Sequence, residues 1–312
     1  LLMHAAVTHP LSPRGLEVPE GVMALDNRPY RISETSTLSV QDENGLISLN
    51  VSDDNTLRRL FTVIGLPAER HDRLLDTLHD YIDIDNFKRL NGAEQSEYQA
   101  AGLPPPANNF LISRDTLRSI PGWRELMLEL ETSGTPGALD RFLDLFSVSR
   151  YTLLNLNTAP RLILRATPGI DPQRVDALIA RRREAAFNNL AEVAPFTNGP
   201  LDIDTAYIVN ANAWRLTHHR SDLPFLLECR LVITPAAIDR PAEVSECRHR
   251  PKLLAPSDPA SDELFSQSRF FDSTHPGVKT LSKTDPELRT PDIIDEAAPL
   301  AWLTAPLGSR KQ

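Results

Sequence analysis

Asn155-Leu156-Asn157-Thr158-Ala159-Pro160, then Pro168-Gly169-Ile170-Asp171-Pro172, then Ala177-Leu178-Ile179-Ala180-Arg181-Arg182-Arg183 with Phe187 behind it, is the stretch that decides how this chain is read. Asn157 or Thr158 is placed to cap a helix with Pro160 in its first turn, where a missing N–H costs nothing. That helix should run to about Ala166. Pro168 to Pro172 then makes a tight connection. Asp171 is the expected cap of the next helix, which turns Val175, Leu178 and Ile179 inward and Arg181, Arg182 and Arg183 outward. A further short helix is expected from Phe187 to Val193. Helix, tight turn, helix is the helix-hairpin-helix scheme. Where such a unit binds nucleic acid, hairpin N–H groups at a helix N-terminus meet a phosphate. Here Asp171 puts a carboxylate where a second glycine is usual, and Pro172 removes a donor. The segment therefore reads as a packing unit, with a nucleic-acid-binding protein as the alternative.

Working outward, the same scheme recurs upstream. Ser52 or Asp53 can cap a helix that starts near Asn55 and carries Leu57, Leu60, Phe61 and Ile64 at helical spacing. Gly65-Leu66-Pro67 stops it. A second helix should span 68–82, with Leu74, Leu75, Leu78, Tyr81 and Ile82 as its apolar stripe. Short helices are expected near 113–119, between Ser113 and the Pro121-Gly122 stop, and near 137–148. On either side of this helical block the pattern changes to strands. Leu38, Val40, Leu46, Ile47 and Leu49 alternate loosely around Asn44-Gly45, which predicts a small hairpin with its turn at that pair. Tyr207 to Leu216 and Phe225 to Thr234 read as two further strands. Both strand groups must share a sheet to bury their apolar faces. The fold class is therefore α+β, with a helical domain inserted into a strand domain. The expected divisions are 1–50 and 201–240 for the strands and 51–200 for the insert, itself split into units at 51–130 and 150–200. Ten of the 26 prolines lie from Pro235 onward, so 241–312 reads as a partly extended tail anchored at points such as Phe270, Phe271 and Trp302.

Between the two helical units, 83–109 is acidic. Asp83, Asp85, Asn86, Glu94 and Glu97 offer oxygen ligands within a short span, the chemistry that calcium accepts in loose geometry. The spacing is not that of an EF-hand loop, and from these residues alone a solvated acidic loop is the simpler reading. Cys229 and Cys247, 18 residues apart, suit a bridge between adjacent strands in an oxidising compartment and equally suit two free thiols.

Several function classes lose ground on composition. A net charge of -9 gives little general attraction for a polyanion. No Gly-x-Ser-x-Gly elbow, Walker loop, Gly-x-Gly-x-x-Gly or Cys-x-x-Cys is present, and His218, His219 and His249 have no evident nucleophile to serve. An enzyme is not expected; an unassigned hydrolase is the residual form of that reading. No apolar run is long enough to cross a bilayer, and residues 1–15 lack the apolar core of a signal peptide. The start at Leu1 rather than Met is read as that of a fragment.

Asp83-x-Asp85, Gly92-Ala93-Glu94 with Tyr98, the stretch from Pro104 to Asn108, and Asn155-Leu156-Asn157-Thr158-Ala159, in this order and preceded by Gly45-Leu46-Ile47-Ser48-Leu49-Asn50, resemble the K-type minor pseudopilins of type II secretion systems, the GspK family. The resemblance runs from about Ala24 to Leu227. Gln95 stands where the family usually has Asp, Tyr81 where Trp is common, and the tail after Pro235 has no counterpart. The resemblance implies a type IV pilin-like β-sheet head with a large inserted all-α domain holding two helix-hairpin-helix (SAM-like) units, and a hydrophobic N-terminal helix that this chain lacks. It implies a periplasmic head anchored in the inner membrane through that missing helix alone. It further implies a place at the pseudopilus tip, in a heterotrimer with the I-type and J-type minor pseudopilins, on a filament of the major pseudopilin, assisting export of folded exoproteins. Calcium near the acidic loop, held by Asp83, Asp85, Asn86, Glu94 and Glu97, is also implied. Nucleic acid is not an expected partner.

Overall fold

The computed structural model describes residues 11–12, 15–18, 21–133, 137–151, 153–201, 206–234 and 241–251. The chain opens with a small antiparallel sheet of Leu11–Ser12 (β1), Gly15–Val18 (β2) and Gly21–Met23 (β3). Asp26–Arg31 (β4) and Ser36–Asp42 (β5) follow as neighbours in the main sheet. Chain direction then departs from expectation at Asn44-Gly45. The predicted hairpin is absent. Asp42 accepts the Asn44 N–H and caps a 3-10 turn over Glu43–Gly45, and Ile47–Ser48 (β6) runs on to pair in parallel with Phe146–Ser147 (β7). A side-chain cap on a one-turn helix outcompeted the Asn-Gly turn preference.

The helical body fills the space between. Asp54–Val63 (α1) is capped by Asp53, whose carboxylate accepts the N–H groups of Asn55 and Thr56. Ala68–Ile82 (α2) buries Leu74, Leu75 and Leu78. Gln95–Ala100 (α3) interrupts the acidic stretch, and a 3-10 turn covers Arg114–Ser119 with Ser113 as its cap. Trp123–Thr132 (α4) is a helix the sequence pattern does not predict, because Pro121-Gly122 reads as a stop. Gly122, at φ +85, also serves as that helix's N-cap, a conformation glycine adopts without strain. Trp123 is wholly buried, and its ring N–H donates to the Leu74 carbonyl at 2.8 Å. Ala138–Leu143 (α5) leads into β7.

Leu154–Asn155 (β8) pairs in parallel with Ala206–Tyr207 (β9). Between them lie Arg161–Ala166 (α6), Val175–Glu184 (α7) and a 3-10 turn at Leu190–Phe196. Two capping expectations fail here. Pro160 itself occupies the N-cap position of α6, and Asp171 caps only a turn, accepting the Gln173 N–H at 2.9 Å before α7 begins at Val175. The strand expected over 207–216 is split: β9 stays with the helical body, and Ala213–Arg220 (β10) enters the main sheet, followed by Phe225–Ile233 (β11) and Ala242–Pro251 (β12). The last strand lies beyond the expected end at 240. Cys247 is joined to Cys229 of β11, and Arg248 and Arg250 find carboxylates, so a Pro-bounded polar segment is held in the sheet. The rest of the expected tail, with Phe270, Phe271 and Trp302, lies outside the described residues.

The main sheet runs β12-β11-β10-β5-β4, antiparallel throughout. The β5–β10 contact decides the architecture: Asp42 is in register with Trp214, so everything from 43 to 212 is inserted between neighbouring strands. One face of the sheet packs Val40, Trp214, Leu231 and Ile233 with Leu16 and Met23; the helical body has its own core around Leu57, Leu78, Trp123, Phe146, Leu164 and Phe187. Among the described residues no helix is long and apolar enough to cross a membrane.

The two cores are joined at Asp42, which has no exposed surface. Its carboxylate accepts from Ala211 N–H at 2.7 Å, Thr158 Oγ1 at 2.8 Å, Asn155 Nδ2 at 2.8 Å and Asn44 N–H at 3.2 Å. Burial nonetheless pushes its pKa up to about 6. Because the folded state holds this proton more tightly than the unfolded chain, its stabilising contribution is present below about pH 4 and lost as pH rises through about 6. That component should amount to roughly 3 kcal/mol of unfolding free energy. Urea unfolding across this pH range should show it in the native protein. The component should be missing in Asp42→Asn; an unchanged pH profile in that variant would place the titration elsewhere.

Candidate functional site

The acidic loop is folded back onto the C-terminal half of α2. Asp80, wholly buried, accepts the Arg89 N–H through both oxygens, at 3.3 and 3.2 Å, and Asp76 accepts the Asn91 N–H at 2.9 Å. Gly92 is needed for this approach: a Cβ there would stand 1.8 Å from Asp80 Oδ2. The chain is thereby aimed so that Glu94 enters the protein, 5% exposed, with neither carboxylate oxygen in a hydrogen bond. Burial, then the charges of Asp80, Asp83, Asp85 and Glu97, push Glu94 up to about 7. Asp83 also has a buried oxygen, Oδ1, without a partner, and its pKa is raised by burial and by Asp85. A buried carboxylate held among other carboxylates, with its own oxygens unbonded, is costly to keep charged.

The remaining expected ligands are otherwise engaged. Asp85 accepts the Phe87 N–H at 2.8 Å, and the Asn86 side-chain oxygen accepts from Asn108 at 3.2 Å. Glu97 is held by Lys88 at 2.7 Å, by the Glu94 N–H at 3.0 Å and by Ser96 at 2.9 Å, which pull its pKa down to about 2. Among the described residues no three His, Cys, Asp or Glu side chains converge closely enough to hold a metal ion as they stand. Asp80 was not among the residues singled out from sequence; its helix position hid it from a search of the loop. The loop also presents Ile84, Phe87 and Leu90 to solvent, at 88, 83 and 93% exposure. These are the most exposed large hydrophobic side chains among the described residues.

The second unit was expected to turn three arginines outward. Arg182 instead is buried, and its Nη1 donates to the carbonyls of Leu156 and Ala159, both at 2.8 Å. Arg181 lies over the Phe187 ring at 5.6 Å, within 3.7 Å of Glu192. Only Arg183 is exposed. The hairpin's donors are spent on the protein: Asp171 N–H on the Phe196 carbonyl at 3.0 Å, Gln173 N–H on Asp171, Arg174 N–H on the Asp171 carbonyl at 2.9 Å. Gly169, at φ +81, lies against the Pro200 carbonyl where a phosphate would have to approach. The unit works as a joint. Asn157 receives the Phe187 N–H at 2.8 Å and returns a hydrogen bond to its carbonyl at 2.9 Å, while Asn155 and Thr158 reach Asp42.

Two family models match the chain. Residues 36–131 match one described as type II secretion system, protein K, and residues 154–206 match a second with the same description. Together they bracket the joint and the acidic loop. No curated protein matches the sequence. A structural likeness exists to a chain in the crystal structure of the GspK-GspI-GspJ complex from the enterotoxigenic Escherichia coli type 2 secretion system, with a TM-score of 0.54 and 17% identity over 80% of this chain and 91% of that one. At that identity the likeness speaks to the fold, and it covers sheet and insert together. A strand pair split by a helical insert, matched on both halves of that insert by models of one family, places this chain in the protein K family of type II secretion systems, as a minor pseudopilin.

Proposed function

We propose that the protein is an assembly subunit rather than an enzyme, and that it stands at the tip of the type II secretion pseudopilus in the periplasm, capping or initiating the filament that assists export of folded proteins. The observation that carries this reading is the register of Asp42 against Trp214. A body of this size, rooted between adjacent strands and joined to the sheet by buried polar bonds, cannot fold away to let a subunit sit above it. A filament end is the position that tolerates it. Membrane attachment, as the family resemblance implies, would come through a hydrophobic N-terminal helix. Replacing residues 51–200 by a short linker should let the protein enter the filament shaft, as seen by immunogold labelling. If a variant verified as folded by circular dichroism still labels tips alone, bulk is not the reason.

The relative in the GspK-GspI-GspJ complex supports I-type and J-type minor pseudopilins as partners. Mixing this chain with the soluble heads of both should give a complex with one copy of each, read by size exclusion with light scattering. Failure of the three to associate would remove the tip-complex reading for the soluble part.

Calcium belongs to the same proposal. Glu94 and Asp83 would hold it, with Asp85, Asn86 and Glu97 recruited from their present hydrogen bonds; the ion would neutralise a buried carboxylate cluster and fasten the loop that displays Ile84, Phe87 and Leu90. Calcium should raise the melting temperature by several degrees, magnesium less, and Glu94→Gln should abolish the calcium effect. Equal stabilisation of the native protein and the variant would rule Glu94 out as a ligand.

A further inference from the structure

Two asparagines tie three loops of the helical body side by side. Asn50, buried just past β6, donates from its side chain to the carbonyls of Leu111 and Val148 at 3.0 and 2.9 Å and accepts the Leu111 N–H at 2.8 Å. That holds 110–112 beside 148–151. Asn108, at φ +46, donates to the Asp85 carbonyl at 3.1 Å and to the Asn86 side-chain oxygen at 3.2 Å. That holds the same segment against the acidic loop. Asparagine is among the few residues that tolerate a left-handed backbone, and Pro104, Pro105 and Pro106 stiffen the approach to it.

What these ties present to solvent is apolar. Ile84 and Phe87 come from the acidic loop. Phe110 and Ile112, the latter 78% exposed, flank buried Leu111 in the second segment, and Tyr151, 64% exposed, comes from the third. Arg150 lies over the Phe110 ring at 4.6 Å. Large apolar side chains exposed singly are ordinary; several on segments bonded to one another make a contact surface. Aromatic rings with an arginine among them are also the residues that protein contacts depend on most. Because hydrogen bonds and prolines already fix these loops, covering them orders little that is not ordered beforehand.

The charge beside the surface decides its occupant. Asp83 and Asp85 stand on either side of Ile84, and neither enters an ion pair among the described residues: Asp85 accepts the Phe87 N–H of its own loop, and Asp83 leaves a buried oxygen unbonded. The nearby cations are committed elsewhere, Lys88 to Glu97 and Arg89 to Asp80. A two-fold contact with a second copy would set Asp83 and Asp85 against their own equivalents, and an anionic lipid surface would meet them with charge of the same sign. We infer that this surface receives a segment of a protein partner in which lysine or arginine is interleaved with aliphatic residues. The cations meet Asp83 and Asp85, and the aliphatic side chains cover Phe87, Phe110 and Ile112. The inference depends neither on the tip assignment nor on calcium, since it concerns only these loops and their ligand.

The test is fluorescence anisotropy at low salt on the full chain, first in chelator and then in calcium, with a short fluorescein-labelled peptide of interleaved lysine and leucine and its glutamine counterpart. The lysine peptide should bind and weaken with added salt, and the glutamine peptide should bind at least about tenfold more weakly. Phe87→Ser on the acidic loop and Ile112→Ser on its neighbour change no charge and remove exposed side chains. Each should lower affinity about tenfold with the melting temperature unchanged, the loss expected for roughly 1.4 kcal/mol. Leu128→Ser, at an exposed position of α4 near the Arg70–Glu129 pair at the other end of α2, should leave affinity as it is. That control separates this surface from general attraction of a cationic peptide to an acidic protein. No binding of the lysine peptide in either condition, or binding indifferent to both loop variants, would overturn the inference. Binding to phosphatidylcholine vesicles in place of the peptide, lost in the same two variants, would reassign the surface to lipid.

Discussion

The carboxylate of Asp42 is the constraint on which the arrangement of the molecule depends. The chain leaves the main sheet at this residue and re-enters at Ala213, and the excursion between has to begin and end at one point. Asp42 holds that point by accepting from Asn44 on the way out, from Asn155 and Thr158 within the body, and from Ala211 on the way back. Gln41 adds its side-chain N–H₂, shared between the carbonyls of Asp42 and Thr158 at 2.9 and 3.1 Å. Space is as tight as bonding: a Cβ on Gly45 would stand 2.7 Å from Thr158 Oγ1. A buried carboxylate is costly unless fully bonded, and its donors come from three separated segments, so the cost is met only when all three are in place. The bond set is thus a test of correct assembly.

A second set of buried charges joins sheet and body at the other side. Glu228 on β11 meets Arg114 from the helical body and Arg250 from β12 at 2.6 Å, while Arg250 and Arg215 turn to Asp144. Burial would raise Glu228, but Arg114, Arg215, Arg250 and Arg248 hold it far below the carboxylate range. Buried ion pairs contribute little net stability against an apolar alternative, and removing one member is expensive. Their effect is on orientation: an apolar seam would tolerate sliding between body and sheet, and forked guanidinium pairs do not. The Cys229–Cys247 bond beside Glu228 keeps β12, and with it Arg248 and Arg250, in register with this network.

The parts legible in the sequence were those governed by local rules. α2 occupies the span its apolar stripe predicted, and α1 starts one residue before it, because caps and stripes are short-range. Asn44-Gly45 misled because the decisive partner of Asp42 lies more than a hundred residues away. Arg182 misled because its helix position counts as outward until the carbonyls of Leu156 and Ala159 arrive from another segment. Glu94 was legible as a carboxylate of interest, but its burial was not. That depends on Asp80 and Gly92 meeting across the turn, a contact between a helix and a loop.

These cases share one cause, and it bears on function. Charge in this chain is sorted in space, though it looks mixed along the sequence. Carboxylates without partners collect at the loop beyond α2, next to exposed Ile84, Phe87 and Leu90. Guanidinium groups collect at the seam between sheet and body. At the seam the opposite sign is supplied from within: Arg161 meets Asp176, Arg215 meets Asp144, and Arg250 meets Asp140, Asp144 and Glu228, so charge there holds body and sheet in one orientation. At the loop Glu94 has no such partner, and like charges left together there work against folding stability.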